Sequence, residues 1–577
     1  MKELNMSKSK KNSKKNEKKE KESLFSKFLF FPGVPYLIII ILGLSLYYQT
    51  LEYGFTYFDD HYIFPNANAL HGLQSANEIF KRDAILSTSG IEFYRPFQGL
   101  SFLVDASISG DKAFGYHLSS LIIHILACMS LFYLFTTLKL NKYLSLILTC
   151  IFAVHPLFTQ SVAWIPARGD LLIGLFGSLS FSFFIKYYQK SNPVYFALHV
   201  FTFFIAVFSK ETTLLFPIIF GLYFIFIINK DKKLKTFGAT NILLIVIWGF
   251  IAVLYVYLRS TVTRADVSTS NLSSATFFSH LLTFPEFLAK IIIPLNLSGM
   301  PEFSIIPSLL GIILLIGCGL SFYFYRKNPN PLGFIALIWF FLFTAITMIY
   351  RHPHGNDAYA YLEHRIYLPA IGILIFILSL PFNKKIVTNI SLTGLGIILI
   401  FFYFANERIK NYKDPTAFYD YVINSGTHVA LAYNNRGYYD ELIGKNDEAF
   451  SDFDKAAKLK PDYALAISNR GNQKNRRGDK KGAMDDYNLA LNYDSNLAEA
   501  YNNRGYMYYA EKKYPLAIAD FEKALSIKKE FVVSLMNMGV TKYYMNDFAG
   551  ACTAWYKAAE LGNTQAKQFI KEYCSQK

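Results

Sequence analysis

A chain of 577 residues with a hydrophobic fraction of 53% and a net charge of +16 is too long and too apolar for one ordinary soluble domain. Its mean hydropathy is +0.24. The basic excess does not have the distribution of a nucleic-acid footprint. It is gathered in nine lysines between Lys2 and Glu22 and in short hydrophilic gaps at Lys139/Lys142, Lys186/Lys190, Lys230/Lys232/Lys233/Lys235, Arg326/Lys327 and Lys384/Lys385, as expected for cytoplasmic loops. No nucleic-acid partner is expected.

In chain order, residues 1–32 read as a basic cytoplasmic tail, with no small-residue cleavage site after the first apolar run. Residues 33–405 carry apolar blocks of bilayer-crossing length. The predicted spans are 33–50, 116–138, 143–162, 170–187, 194–209, 213–228, 239–258, 305–325, 331–350, 366–383 and 386–405, about eleven in all. An odd count puts the termini on opposite sides, with the N-terminus cytoplasmic and all the basic gaps inside. Segments 51–115 and 259–304 then face outward and are too long to be mere connectors. Phe277–Pro294 is apolar enough to lie along the interface or re-enter.

Residues 406–429 read as a linker, and 430–565 as four repeats. Asn-Arg-Gly at Asn435–Gly437, Asn469–Gly471 and Asn503–Gly505 is followed by Asn537-Met538-Gly539, each 34 residues apart. Alanines follow at Ala449, Ala483, Ala517 and Ala551, then aromatics at Phe453, Tyr487, Phe521 and Trp555, then Ala456, Ala490, Ala524 and Ala558. Small residues let paired helices approach, and the aromatic fills the groove against the next repeat. The pattern resembles the tetratricopeptide repeat (TPR), with its closing proline kept only at Pro461. Residues 566–577 read as a capping helix. The expected fold is therefore all-α: a polytopic helical membrane domain followed by a TPR solenoid.

Of five cysteines, Cys128, Cys150 and Cys318 lie in apolar blocks, and Cys552 and Cys574 can pair only if the solenoid faces an oxidising compartment. No His/Cys spacing suggests a metal ligand set, so none is assigned, and dependence on a divalent metal stays open.

Candidate chemistry sits at the outward ends of the spans. Asp59-Asp60 follows the first span, where a lipid-linked substrate presents its headgroup. One carboxylate can serve as general base and the other can orient it or bind a metal, although a water-facing loop pair satisfies the same residues. Arg168 and Asp170, Lys210-Glu211 and Glu363-His364-Arg365 recur on the same predicted side. Ionisable groups at that depth are costly and are functional candidates by default. Arg and Lys suit a phosphate, while snorkelling and interfacial pairing are the plainer alternative. His117, His124 and His155 are expected to be structural.

Here the residues reach a family. The string Phe152-Ala153-Val154-His155-Pro156-Leu157, continued through Ser161-Val162-Ala163-Trp164 to Arg168-Gly169-Asp170-Leu171-Leu172, resembles the transmembrane-and-TPR O-mannosyltransferases that modify cadherins, and their bacterial relatives. Asp59-Asp60, Tyr94-Arg95-Pro96, Gly115-Tyr116-His117, Ser209-Lys210-Glu211 and Glu363-His364-Arg365-Ile366-Tyr367-Leu368-Pro369 match the same pattern in the same order.

The resemblance implies a C-type glycosyltransferase fold with an extracytoplasmic active site. It implies an inverting transfer of sugar, mannose among the candidates, from a polyprenyl or dolichyl phosphate to Ser or Thr. On that footing Asp59 or Asp60 is the base, and Arg95, Arg168, Lys210 and Arg365 hold the departing phosphate. His155, Asp170, Glu211 and Glu363 are further site candidates. His364 departs from the eukaryotic pattern, and four repeats make a short array, which leaves sugar and acceptor open. Asn435, Asn469, Asn503 and Asn537 fall on one position of the first helix and are candidates for reading an acceptor peptide backbone, or for bonding repeat to repeat. The expected setting is a bacterial inner membrane with the repeats in the periplasm. Two other readings stand beside this one: the same enzyme acting on an envelope glycan or lipid, and a non-enzymatic scaffold, which has no need of paired carboxylates beside lipid. A transporter is weaker still, since no broken-helix repeat pair stands out.

Overall fold

The structure, a computed structural model, describes residues 29–58, 60, 79–81, 93–229, 238–262, 277–278, 280–324, 330–348 and 362–574. The lysine-rich start and Asp59 lie outside them. Among the described residues every regular element is helical. The chain forms two units, Met1–Leu297 with Phe303–Lys413, and Ser298–Glu302 with Asp414–Lys577.

In the first unit every apolar block is helical. The elements are Val34–Tyr47, Ala113–Thr137, Lys142–Ala153 with Thr159–Ala163, Arg168–Lys190, Pro193–Ser209, Phe216–Tyr223, Ala239–Val262, Ile305–Phe324, Pro331–Met348, Tyr367–Ser379 and Lys384–Ile409. Among the described residues, seven helical stretches are long and apolar enough to cross a bilayer, or eight if Lys142–Ala153 and Pro156–Ala163, bent by 45°, count as one span. The expected count of eleven spans is not reproduced. Pro193–Ser209 and Ile305–Ser321 are shorter. Tyr367–Ser379 has 13 residues and rises about 20 Å, against a hydrocarbon core of about 30 Å. Almost all of it is buried among other helices. The parity argument for the sidedness of the termini therefore finds no support in these helices.

Local signals set the helix starts. Asn141 accepts from Tyr143 N and Leu144 N, and Asn192 caps the helix that Pro193 opens. Packing then follows a membrane rule, with small residues where helices cross. A Cβ at Gly372 would stand 2.6 Å from the Ala336 carbonyl oxygen, and one at Gly174 would stand 2.5 Å from the Tyr367 ring. At Gly311 it would fall 1.8 Å from the Pro285 carbonyl oxygen, so Ile305–Phe324 lies backbone to backbone on Thr283–Ile292. That last helix occupies the stretch expected to lie in the interface or re-enter. Outward faces are apolar, with Ile242, Val246, Phe250, Val253, Leu392 and Leu399 all exposed, as a lipid-contacting surface requires. The chain is a multi-pass membrane protein.

The second unit is a helical solenoid. Residues 406–429, expected as a linker, contain the end of Lys384–Ile409 and a further helix, Pro415–Ser425, which is capped by Asp414 and closed by Gly426 at φ 73°. Four helix pairs follow: Val429–Leu442 with Asn446–Leu459, Ala464–Arg476 with Lys480–Tyr493, Ala498–Ala510 with Tyr514–Ile527, and Val532–Tyr544 with Phe548–Glu560. The repeated glycine has one job in all four. A Cβ there would press on the partner helix at Phe453, Tyr487, Phe521 or Trp555, at 3.1, 2.9, 2.9 and 2.3 Å respectively. Thr564–Phe569 then caps the array, and a Cys552–Cys574 disulfide ties the end of the chain to the last repeat.

Candidate active site

Asp60 is buried, with 1% of its surface exposed, just beyond the first apolar helix. Thr56 holds one carboxylate oxygen, Oδ2, through its backbone N–H and through its hydroxyl at 2.9 Å. The other oxygen, Oδ1, has no hydrogen-bond partner among the described residues. Burial pushes this carboxyl up to about 6, against the pull of hydrogen bonds from Thr56 and from the Tyr57 backbone. A carboxylate with one oxygen anchored, the other open and a pKa near neutrality has the properties of a general base. Its neighbour Asp59 lies outside the described residues.

Two charge pairs lie at the other span ends. Lys210, where the helix Pro193–Ser209 stops, donates from Nζ to both Asp170 carboxylate oxygens at 2.7 Å. Arg95 precedes the helix Pro96–Ser109 and forks onto Glu211 at 2.9 and 2.6 Å, its guanidinium lying 4.3 Å over the Phe93 ring. His364 places Nε2 3.9 Å from Asp170 Oδ2. Burial, then the charges of Lys210, Arg365 and Arg95, hold its imidazole well below the usual histidine range, so it is neutral. Lys210, Arg365 and Arg95 thus all act electrostatically on this ring. Rings link the cluster toward Asp60, with Phe58 5.3 Å from Trp164, and Trp164 5.1 Å from His364. Trp164 Nε1 and His364 Nδ1 are also buried without a hydrogen-bond partner among the described residues.

Glu363 lies beside this cluster and is fully buried between two cations. Lys290 Nζ donates to its Oε1 at 3.2 Å, and Arg408 Nη2 donates to its Oε2. Lys290 also pairs with Glu286 at 3.2 Å. Sequence reading missed Glu286, Lys290 and Arg408. The available signal was a Glu/Lys pair four apart in an apolar stretch and an arginine ending the last span.

Arg168 is fully buried and already engaged. Its nitrogens donate to Ser120 and Ser101 hydroxyls at 3.2 Å, to the Tyr116 carbonyl at 2.6 Å and to Asp105, with Phe102 beneath at 4.5 Å. His155 likewise uses both ring nitrogens, accepting from Leu157 N at 3.2 Å and donating to the Ile291 carbonyl at 3.0 Å. His124 bonds Tyr367 at 2.9 Å and the Ala153 carbonyl at 3.1 Å. Among the described residues no three His, Cys, Asp or Glu side chains converge as a metal site.

Residues 498–531 match the tetratricopeptide repeat family model. Over 151 residues the chain is 35% identical to the human protein O-mannosyl-transferase TMTC2, a stretch covering 25% of this chain and 18% of that protein. It is 31% identical over 133 residues to the Drosophila melanogaster protein O-mannosyl-transferase Tmtc1, covering 22% of this chain and 16% of the relative. These matches span less than a fifth of the relatives' length. Among solved structures, ArnT from Cupriavidus metallidurans bound to undecaprenyl phosphate covers 82% of this chain and 78% of its own, at 14% identity and a TM-score of 0.39, too low to establish a shared fold.

In the solenoid the asparagines bond one another. Asn469 donates to Asn434 at 3.0 Å, Asn503 to Asn472 at 2.8 Å and Asn537 to Asn502 at 3.1 Å, while Asn435 accepts from Asn434 at 3.1 Å. The repeated arginines are paired too: Arg436 with Asp452 and Asp420, Arg470 with Asp486 and Asp454, and Arg504 with Asp520 and Asn488. These side chains join helix to helix and repeat to repeat.

Proposed function

We propose that this chain is a membrane glycosyltransferase that moves a sugar, mannose being the first candidate, from a polyprenyl or dolichyl phosphate to Ser or Thr of proteins outside the cytoplasm. The observation that carries the reading is Asp60, a buried carboxylate with one oxygen fixed by Thr56 and the other without a partner among the described residues, just beyond an apolar helix. The similarity to protein O-mannosyl-transferases supplies the reaction class.

In this mechanism Asp60 takes the acceptor hydroxyl's proton as its oxygen attacks the anomeric carbon. The bond from that carbon to the lipid phosphate breaks on the opposite face, which inverts the configuration. The departing phosphate carries the bond's electrons, and Arg95, Lys210 and Arg365 meet its growing charge. Arg168 keeps the loop around Asp105 and Tyr116 in place, because its donors are already committed. The TPR solenoid presents the acceptor. The asparagine ladder holds the repeats in line, so acceptor contacts come from its remaining surface. The N-terminus is cytoplasmic and the solenoid lies in periplasm or lumen, a placement favoured by the Cys552–Cys574 disulfide, since such bonds persist in oxidising compartments.

The test compares extracytoplasmic glycopeptides, by intact mass spectrometry, between hosts making the wild-type protein and hosts making Asp60→Asn or Asp59→Asn. Ser/Thr hexose modifications should vanish with Asp60→Asn at unchanged protein abundance. Loss with Asp59→Asn alone moves the base to Asp59. Glycopeptides that persist in both variants point to an envelope glycan or lipid as acceptor, and unchanged envelope glycans as well favour the scaffold.

A further inference from the structure

Four charged side chains from three separate parts of the membrane unit converge on the short turn Glu363–Ile366. Glu286 and Lys290 come from the helix Thr283–Ile292, Glu363 from the turn itself, and Arg408 from the last turn of Lys384–Ile409. All four are buried, at 0, 1, 0 and 6% exposure. Their formal charges balance, two negative and two positive. The backbone joins in, with Arg408 Nη1 donating to the Pro156 carbonyl at 2.7 Å and His155 to the Ile291 carbonyl at 3.0 Å. Ser304 N donates to Glu286 at 3.2 Å. Gln160 accepts from His364 N at 3.2 Å, which fixes the backbone of the same turn beside Glu363.

Nothing in the proposed transfer uses these charges directly. Burying four ions costs several kcal/mol each before pairing, and well-packed apolar residues would fill the same space without that cost. What the charges hold is Glu363, which directly precedes the neutral His364 and the cation Arg365. We infer that Lys290 and Arg408 are positioning residues that, through Glu363, set the turn Glu363–Ile366 and so aim His364 and Arg365 at the Asp170–Lys210 pair. The clamp also gives a role to the His155-Pro156 motif: it anchors Arg408 and the helix carrying Lys290. The consequence for the lipid-phosphate donor rests on the function proposed above; the positioning itself does not.

The informative variant is Glu363→Gln with Arg408→Gln. It removes one charge of each sign, and Lys290 keeps Glu286, so no new unpaired ion is stranded. Arg408→Lys is the conservative control. In the full-length protein in lipid nanodiscs, hydrogen exchange of backbone amides 362–368 should speed up by about 10-fold or more in the double variant, since an opened turn loses local protection. Exchange in Arg168–Lys190 and in the repeats should stay as in wild type, and Arg408→Lys should recover part of the protection. Unchanged exchange in the turn, or a uniform rise through the membrane unit, overturns the inference whatever the activity.

With a polyprenyl-phosphate mannose donor, the double variant should lower kcat/KM by about 10-fold, the worth of one charge-assisted contact to the departing phosphate. In an Arg365→Ala background the same pair of changes should add less than about twofold, because both act through one side chain. Full additivity overturns the link to Arg365. A wild-type protein that transfers nothing from this donor, yet shows the expected exchange pattern, sinks the proposed function and leaves the clamp standing.

Discussion

The two units carry buried and half-buried charges to opposite ends. In the solenoid each arginine repeats its neighbour's geometry. Arg436, Arg470 and Arg504 fork onto Asp452, Asp486 and Asp520 sixteen residues on, with distances of 2.6 to 2.9 Å, and the remaining arm reaches back sixteen residues. Translational repetition makes such pairs cheap to specify, because one solution serves every repeat. Among the described residues of the membrane unit no pair repeats another. Arg168–Asp105, Lys210–Asp170, Arg95–Glu211 and Glu363 with its two cations each solve a separate local problem, mostly out of reach of water. Among them Asp60 keeps a buried carboxylate oxygen without a partner among the described residues. A periodic, saturated network serves the fold. An aperiodic one that leaves an anion half satisfied is stored cost, and such cost collects at functional sites.

The sharpest way to break this comparison is Asp60→Asn. If Asp60 is the base, the variant loses about 100-fold to 10,000-fold of transfer measured on a defined acceptor with a polyprenyl-phosphate sugar. It should also be the more stable protein. The folded pKa of about 6 lies above the ordinary 3.8, so the folded state binds more protons between these values and stability falls as pH rises from about 4 to 6. Above pH 6 the ionised carboxylate costs about 3 kcal/mol, two pKa units at 1.36 kcal/mol each, which asparagine does not incur. Urea or thermal unfolding of the membrane unit at pH 7.5 should therefore show a stabilised variant. A destabilised Asp60→Asn would make Asp60 a structural residue like Arg168.

Asp60 also predicts the pH dependence. The base must be ionised, so transfer should rise about tenfold per unit below pH 6 and level off above it. His364 is already neutral across that range and adds no second limb on the acid side. A rate flat from pH 5 to 7 would remove Asp60 from the proton transfer.

How much of this was legible in advance differs between the units for the same reason. The 34-residue interval carried the solenoid's helix pairs, its glycine–aromatic contacts and its cap, because each repeat mainly touches its neighbours. The apolar blocks marked most helices of the membrane unit, though not Pro96–Ser109, and not which were full spans: Tyr367–Ser379 is as apolar as the others and simply too short. The ionisable residues at span ends were visible, yet their partners were not. Arg95 meets Glu211 across 116 residues, and Arg168 meets an Asp105 that sits in a helix read as external loop. Pair choice there depends on which helices cross, and single-sequence periodicity does not encode crossings. For the asparagines, position showed a stack but not its direction; the geometry turns the amides toward each other.

A smaller effect sharpens the comparison from the solenoid side. The Cys552–Cys574 bond closes a separation of 22 residues at a Cα distance of 5.8 Å. Cys552→Ser should lower the unfolding free energy of the last repeat by about 3 kcal/mol under oxidising conditions and by nothing under reducing ones. In native membranes both thiols should resist maleimide until reductant is added. Immediate labelling of both would place the solenoid in a reducing compartment and remove the extracytoplasmic acceptor with it.

The smallest expected effect tests whether the periodic charges are only structural. Arg470 is half-buried, forks onto Asp486 at 2.9 and 2.8 Å and reaches Asp454 at 3.2 Å. Arg470→Ala removes that bridge, but Lys474 remains 2.9 Å from Asp486 and keeps the aspartate paired. The loss should therefore be about 1 kcal/mol, close to an exposed pair rather than to the several kcal/mol expected when a fully buried ion is stranded. Read as a Tm shift of the solenoid by calorimetry, that is a few degrees, with transfer to a protein acceptor unchanged. A rise in acceptor KM or a fall in turnover without a Tm shift would mean that these arginines touch the acceptor, and the division between fold-serving and function-serving charge would then run through the solenoid as well.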